Sequence, residues 1–323
     1  MLILSRDDMR RALDAAELFE ALADGFRGLA EGQWKIPLRV AIEMPAHQGV
    51  SLFMPAYGQG LAAAGMKLVT VMHGNPAKNL PLLHSKYLYV SAETGEILSL
   101  MDGEFLTALR TATVSALVTD LVGKSGGRTM AVFGTGAQAW YHVEVFAKLF
   151  SIGEVLVFGQ TPELGEQFAE RVERQLRKPS RRAILNELKR ADIICTCTTN
   201  PAPLFELKDL SSAVHINAIG AYRPTTREIG SDVMARAIIV VDSYESAFNE
   251  AGELVIPLNQ GVIGRNHVYA SIDELVSGGK PAPDADNRIT VFKSVGMALE
   301  DLVAADLAYR RAVEGGIGTN VPG

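Results

Sequence analysis

Cysteine is scarce in this chain: Cys195 and Cys197 are the two among 323 residues. One residue separates them in a strand-like run, where a disulfide is geometrically poor, and two thiolates without further Cys or clustered His cannot close a zinc site. Both are expected to be small apolar fillers in a reducing compartment, and no metal site is expected. Long hydrophobic runs are missing too. The longest apolar strings, such as Ala237-Ile238-Ile239-Val240-Val241, have strand length, well short of the roughly 20 residues of a membrane span. The opening Met1-Leu2-Ile3-Leu4-Ser5-Arg6 lacks the charged region and apolar stretch of a signal peptide, so a cytoplasmic address and no membrane association are expected. Positive charge is in deficit: 31 Lys and Arg against 37 Asp and Glu give a net charge of −6. Without a basic run there is no face for a nucleic-acid backbone.

What is present describes a folded protein. Apolar residues make up 48% and charged residues 21%, inside the ordinary globular range, and at roughly 150 residues per domain the length suggests two domains. Ser5 with Asp8 reads as a capping box, and Leu18, Leu22, Phe26 and Leu29 predict one helix over about residues 6 to 30. Strand-length segments follow at 38–44, 50–54, 65–71, 85–90 and 97–101, predicting an antiparallel sheet or partial barrel. A helical stretch from Phe105 to Leu121 ends in Ser125-Gly126-Gly127. Beyond it strands and helices alternate, with strands at 129–133, 155–158, 193–196, 214–219, 237–241 and 289–292, which predicts a parallel sheet with βαβ crossovers. A last helix over roughly 294 to 314 is placed to return to the first domain.

Gly134-Thr135-Gly136-Ala137-Gln138-Ala139 is G-x-G-x-x-A, the variant dinucleotide fingerprint, and it follows an apolar strand and opens a predicted helix. Gly134 permits the tight turn, Gly136 lets the backbone approach a pyrophosphate, and Ala139 lets helix and strand pack closely. The second strand ends Phe158-Gly159-Gln160-Thr161-Pro162, without the acid that contacts the ribose hydroxyls in NAD-selective folds. Gln160 and Thr161 can donate hydrogen bonds to a 2′-phosphate, although no Arg stands on the loop. NADP is favoured, with NAD as the alternative.

Further stretches run in order over nearly the whole chain: Arg39 after Pro37, Gly65-Met66-Lys67, Gly74-Asn75-Pro76, Leu106 to Ala112, Gly134 to Gln138, Ala191 to Ile194, His215 to Ala221, Ala251 to Leu254 and Ile289 to Gly296. Together they resemble the ornithine cyclodeaminase/mu-crystallin family, most closely its ketimine (Δ1-pyrroline-2-carboxylate) reductase branch. The resemblance implies an α/β protein. A Rossmann dinucleotide-binding domain, residues 119–296, would accompany a discontinuous α+β substrate-binding and dimerisation domain, residues 1–118 and 297–323, with a homodimer as the assembly. It also implies that Arg39, Lys67 and Arg110 face the substrate or the nicotinamide in an interdomain cleft, and that Ser294 and Val295 lie nearby. From pattern alone, Arg39 and Lys67 are cations in apolar strands, beside Ala41 and beside Val69 and Val71, and such cations are commonly solvated. Chemically the set suits an imino or keto acid. An Arg can fork onto the carboxylate, and Lys67 can protonate the imine nitrogen or help hold the carboxylate if burial and neighbouring cations lower its pKa. In a net-acidic chain, positive charge is expected to gather at these three residues.

Ornithine-cyclising relatives carry an Asp two residues before the proline that follows the His-Ile-Asn-Ala stretch, whereas this chain has Tyr222 before Pro224. A phenol cannot do a carboxylate's work near neutrality, so cyclodeaminase activity is disfavoured. The leading expectation is NAD(P)H-dependent reduction of a small cyclic imino acid to proline or pipecolate, with Tyr222 and Val295 near the substrate. Alanine-dehydrogenase-like reductive amination and a mu-crystallin-like NADPH- and ligand-binding protein are the alternatives. Thr198 and the backbone of Asn217, Ala218 and Ile219 stand at carboxyl ends of parallel strands, where cofactor binds. His84 and His215 are expected to be structural, His84 hydrogen-bonded; Glu253 reads equally as a surface carboxylate.

Overall fold

The computed structural model describes residues 1–322. Strand β1 (Leu2–Leu4) opens the chain. Ser5 then accepts a hydrogen bond from the Asp8 N–H while Asp8 accepts the Ser5 N–H, and this reciprocal pair starts helix α1 (Arg6–Ala12). The single helix expected over residues 6 to 30 is two helices. Leu13 and Asp14 are extended, and the Asp14 carboxylate accepts the N–H groups of Ala16 and Glu17 to begin α2 (Ala15–Ala30). A side chain that competes for backbone donors won over a continuous apolar period.

Strands β2 (Trp34–Lys35), β3 (Val40–Met44), β4 (Gly49–Gly58), β5 (Ala63–Met72), β6 (Leu83–Ser91) and β7 (Ile97–Asp102) follow, then helix α3 (Gly103–Leu121). β2 to β7 pair antiparallel, as their alternation predicts. β1 pairs parallel with β7, which three residues are too few to signal. In β5 the buried face reads Ala63, Gly65, Lys67, Val69 and Val71. β3 is different, with Val40 56% and Ile42 51% exposed. Arg39 lies just ahead of β3, half-buried, rather than inside an apolar strand.

The next stretch comprises β8 (Thr129–Phe133), α4 (Ala137–Leu149), β9 (Glu154–Phe158), α5 (Pro162–Leu176), β10 (Ser180–Arg182), β11 (Ile193–Thr196) and β12 (His215–Ala218). It continues through α6 (Ser231–Met234), β13 (Ile238–Val241), α7 (Tyr244–Glu250), α8 (Gly252–Asn259), β14 (Val268–Ser271), α9 (Ile272–Val276) and β15 (Thr290–Lys293). Its eight strands are all parallel, in the order β10-β9-β8-β11-β12-β15-β13-β14. This is a doubly wound sheet of Rossmann type, with strand order reversing between β8 and β11. β11, β12, β13 and β15 are buried along their whole length, as strands covered on both faces must be. β10 and β14, short edge strands, escaped the sequence pattern.

Helix α10 (Ala298–Gly315) then packs across β4, β5 and β6 and against α2, and β16 (Thr319–Asn320) pairs with β1. The chain divides into two compact units: Met1–Arg110 with the segment from Met297 onward, and Thr111–Gly296. The division falls inside α3. Among the described residues no helix is long and apolar enough to cross a membrane.

Candidate functional site

In the first unit, three elements bring four charges together. β5 supplies Lys67, α3 supplies Arg110, and the first turn of α10 supplies Glu300 and Asp301. Lys67 is 2% exposed, Arg110 3%, and both carboxylates are fully buried. Lys67 Nζ lies 2.7 Å from Asp301 Oδ2 and 2.9 Å from Oδ1. Arg110 Nε donates to the same Oδ1 at 2.9 Å, and its Nη1 pairs with Glu300. The sequence led to an expected concentration of positive charge here; instead the two buried cations are matched by two buried carboxylates. Desolvation requires this, because an unpaired buried charge would cost several kcal/mol. Burial pulls the Lys67 ammonium down to about 8, with Arg110 acting in the same direction and Asp301 and Glu300 opposing. Arg110 remains charged, its burial outweighed by the same two carboxylates.

Tyr87, the register partner of Lys67 on β6, is fully buried, and its hydroxyl has no hydrogen-bond partner among the described residues. Burial, and then the Asp301 charge, pushes its phenol well above the ordinary value. Glu300, Asp301 and Tyr87 were missed from sequence. An adjacent acid pair in the first turn of the last helix, followed by the apolar run Leu302 to Ala305, was the available signal for the first two.

In the second unit, the fingerprint loop leaves β8 at the point where strand order reverses. Gly134 has φ +101°, and a Cβ there would stand 2.6 Å from the Cys197 carbonyl oxygen of the neighbouring strand end, so glycine is required twice over. Gly136 caps α4 without any side-chain hydrogen bond, and a Cβ at Gly136 would project into open space. Its first-turn N–H groups and that space together fit a pyrophosphate. Ala137 opens α4, Ala139 is fully buried, and Gln138 Oε1 is a buried acceptor with no hydrogen-bond partner among the described residues. This donor set and cradle fit a nicotinamide dinucleotide.

Residues 1–316 match the model of the ornithine cyclodeaminase/mu-crystallin family. The chain belongs to that family. It is 32% identical to a Δ1-pyrroline-2-carboxylate reductase of Bacillus cereus, covering 99% of each chain. Among solved structures it is similar to the Thermococcus litoralis Δ1-pyrroline-2-carboxylate reductase in complex with NADH and L-proline. There the TM-score is 0.95, at 33% identity over 99% of this chain and 100% of that one. An archaeal alanine dehydrogenase dimer with bound NAD gives a TM-score of 0.93, at 29% identity over 100% of this chain and 99% of that one.

Around the dinucleotide loop, the chain anchors its strand ends on three buried acids, Glu228, Glu253 and Asp242. Glu228 accepts from the Thr198 N–H and hydroxyl, the Thr196 hydroxyl and the Gly220 N–H, all between 2.7 and 2.8 Å. Burial raises the Glu228 carboxyl, with these donors working the other way. Its own N–H goes to Glu253, which pairs at 3.1 Å with fully buried Lys293, a donor in turn to the Ala218 and Ala221 carbonyls. Glu253 is therefore buried framework and not a surface carboxylate. Asp242 Oδ2 accepts from the Ser294 hydroxyl and the N–H groups of Val295 and Gly296, so Ser294 is engaged as an anchor.

The Asn217 side chain is spent inside the sheet, donating to Thr119 and Cys195 and accepting from His215. His215 also meets Thr290, and burial lowers its imidazole to about 3, so it stays neutral and structural, as expected. Cys195 is buried and Cys197 partly so, both free. His84, expected to be hydrogen-bonded, is exposed on β6, and Tyr222 is 38% exposed in the loop after β12. At the end of β9, Gln160 is exposed and the Thr161 hydroxyl caps α5 by accepting the Leu164 N–H. An arginine of the next strand lies near the start of α5. Arg182, ending β10, runs beside Gly165, with Cγ 3.4 Å from where a Cβ would stand there. Glu163 titrates below the usual carboxylate range through its own backbone N–H, then Thr161, and also Arg182.

Proposed function

We propose that this protein reduces a small cyclic imino acid, Δ1-pyrroline-2-carboxylate or Δ1-piperideine-2-carboxylate, to proline or pipecolate with NAD(P)H. The buried Lys67–Asp301–Arg110–Glu300 cluster carries this reading, together with a dinucleotide loop in the same chain. Reducing C=N needs a hydride at carbon and a proton at nitrogen. NAD(P)H, held by Gly134 to Gln138 and the Thr198 and Ile219 strand ends, supplies the hydride when bound. Lys67 gives the proton, since an ammonium titrating near 8 is charged at neutrality yet acidic enough to transfer it. Arg110 keeps Nε and Nη1 on carboxylates, leaving Nη2 for the substrate carboxylate, and Arg39 completes the fork. The test is loss of NAD(P)H absorbance with each imino acid. No turnover with either cofactor overturns the proposal. The archaeal alanine dehydrogenase likeness makes pyruvate plus ammonia the other substrate to run, and turnover confined to that mixture would select reductive amination instead.

For the cofactor, we infer a preference for NADP. β9 ends without a ribose-binding acid, Gln160 is exposed, and Arg182, whose stem runs beside Gly165 and whose charge acts on Glu163, is the cation at the same helix end that would meet a 2′-phosphate. Arg182→Ala is expected to raise KM for NADPH about tenfold, the worth of one exposed charge-assisted contact, with KM for NADH nearly unchanged. Equal effects on both cofactors would remove Arg182 from this role.

For the assembly, we infer a homodimer through β3. Leu38, Val40 and Ile42 are 47%, 56% and 51% exposed, an apolar edge that a lone chain would present to other sheets. A second copy is the occupant chosen, and the archaeal alanine dehydrogenase of similar structure is a dimer. Ile42→Lys is expected to shift the sedimenting species from dimer toward monomer; a wild-type monomer would sink the inference.

A further inference from the structure

We propose that Asp301 is a positioning residue for the reduction, holding Lys67 charged and aimed at the reacting nitrogen; this rests on the proton-donor reading of Lys67. A lysine ammonium sits on four flexible carbons and loses its aim unless something fixes it. Here both Asp301 oxygens lie within 2.9 Å of Nζ. The carboxylate is itself fixed, because Oδ1 also takes the Arg110 Nε–H at 2.9 Å and its backbone belongs to α10, packed across the sheet that carries Lys67.

The charged groups acting on Lys67 are Arg110 from α3 and Glu300 and Asp301 from α10, and the titratable Tyr87 on β6 is its register partner. Asp301 is the one that pairs directly with its ammonium among the described residues. Burial and Arg110 both favour loss of the Lys67 proton, and Asp301 leads the opposition. Removing its charge while keeping an amide of the same shape therefore lets Lys67 deprotonate at lower pH. A reaction that needs the ammonium is active below the Lys67 pKa and lost above it.

The test is the pH profile of kcat at saturating imino acid and NADPH. In Asp301→Asn the alkaline limb is expected to move down by about one pH unit or more, whereas Asp301→Glu, which keeps the charge but displaces it, lowers kcat with the limb in place. A merely structural Asp301 would reduce the amount of active enzyme without moving the limb, so an unmoved limb in Asp301→Asn overturns the proposal. If Asp301→Asn does not fold, Asp301→Glu decides, with kcat expressed per NADPH-binding site so that lost protein is not counted: undiminished kcat per site overturns the proposal, and reduced kcat per site with an unmoved limb supports it. Wild-type kcat in Lys67→Met would instead refute the Lys67 reading on which this depends. Loss of activity in Lys67→Met with an unmoved Asp301→Asn limb would refute only the role of Asp301.

Discussion

Lys67→Met lowers kcat for imino acid reduction by about 10²–10⁴-fold, the range for loss of a positioned general acid, while NADPH binding persists. Methionine keeps the length and apolar body of the lysine in β5 and deletes the transferable proton. Asp301 still has Arg110 at 2.9 Å after the change, so the cluster is not left without a cation. NADPH fluorescence titration reports on the dinucleotide loop independently of turnover, and the two readouts together separate a catalytic defect from an unfolded protein. In the wild type, kcat is expected to fall as pH rises through about 8, because the donor is the protonated lysine. Activity within a fewfold of wild type in Lys67→Met, with the same alkaline limb, would mean that another group supplies the proton.

Arg110→Met is expected to destabilise the fold by about 3–5 kcal/mol, measured by urea unfolding with the slope compared to detect a change in the unfolding unit. The reason is what remains behind. Glu300 loses a paired guanidinium and Asp301 loses one of its two cations, and both carboxylates are fully buried. Adding Glu300→Gln to Arg110→Met removes one of the two carboxylate charges that the arginine had offset, and part of the loss should return. That recovery is the decisive result. If the double variant is no more stable than the single one, packing by the arginine stem rather than charge compensation accounts for the effect.

Much of the architecture was legible along the chain. Alternation in β4 to β7, apolar runs in β8, β9 and β11 to β13, and glycine spacing at Gly134 and Gly136 are local signals, because strand period and turn geometry are set by neighbouring residues. What failed was also local in origin. The break at Leu13 and Asp14 turned on one side chain's choice of hydrogen-bond partner, and β1, β10 and β16 have two or three residues each, too few to show a period.

The scarcity of cysteine, the missing apolar spans, the dinucleotide loop and the family resemblance were determined by sequence alone, and the resemblance, not the residue pattern, named Arg39, Lys67 and Arg110 as expected site residues. The partners of Lys67 and Arg110 were decided only by the tertiary structure. Asp301 lies 234 residues from Lys67 and 191 from Arg110, and Arg182 reaches from another strand the helix end that the sequence showed without an arginine. The physical reason is desolvation. Burying a cation makes a counter-charge obligatory, yet which of the chain's acids provides it depends on which helix packs over that strand, and periodicity within a segment carries no information about that.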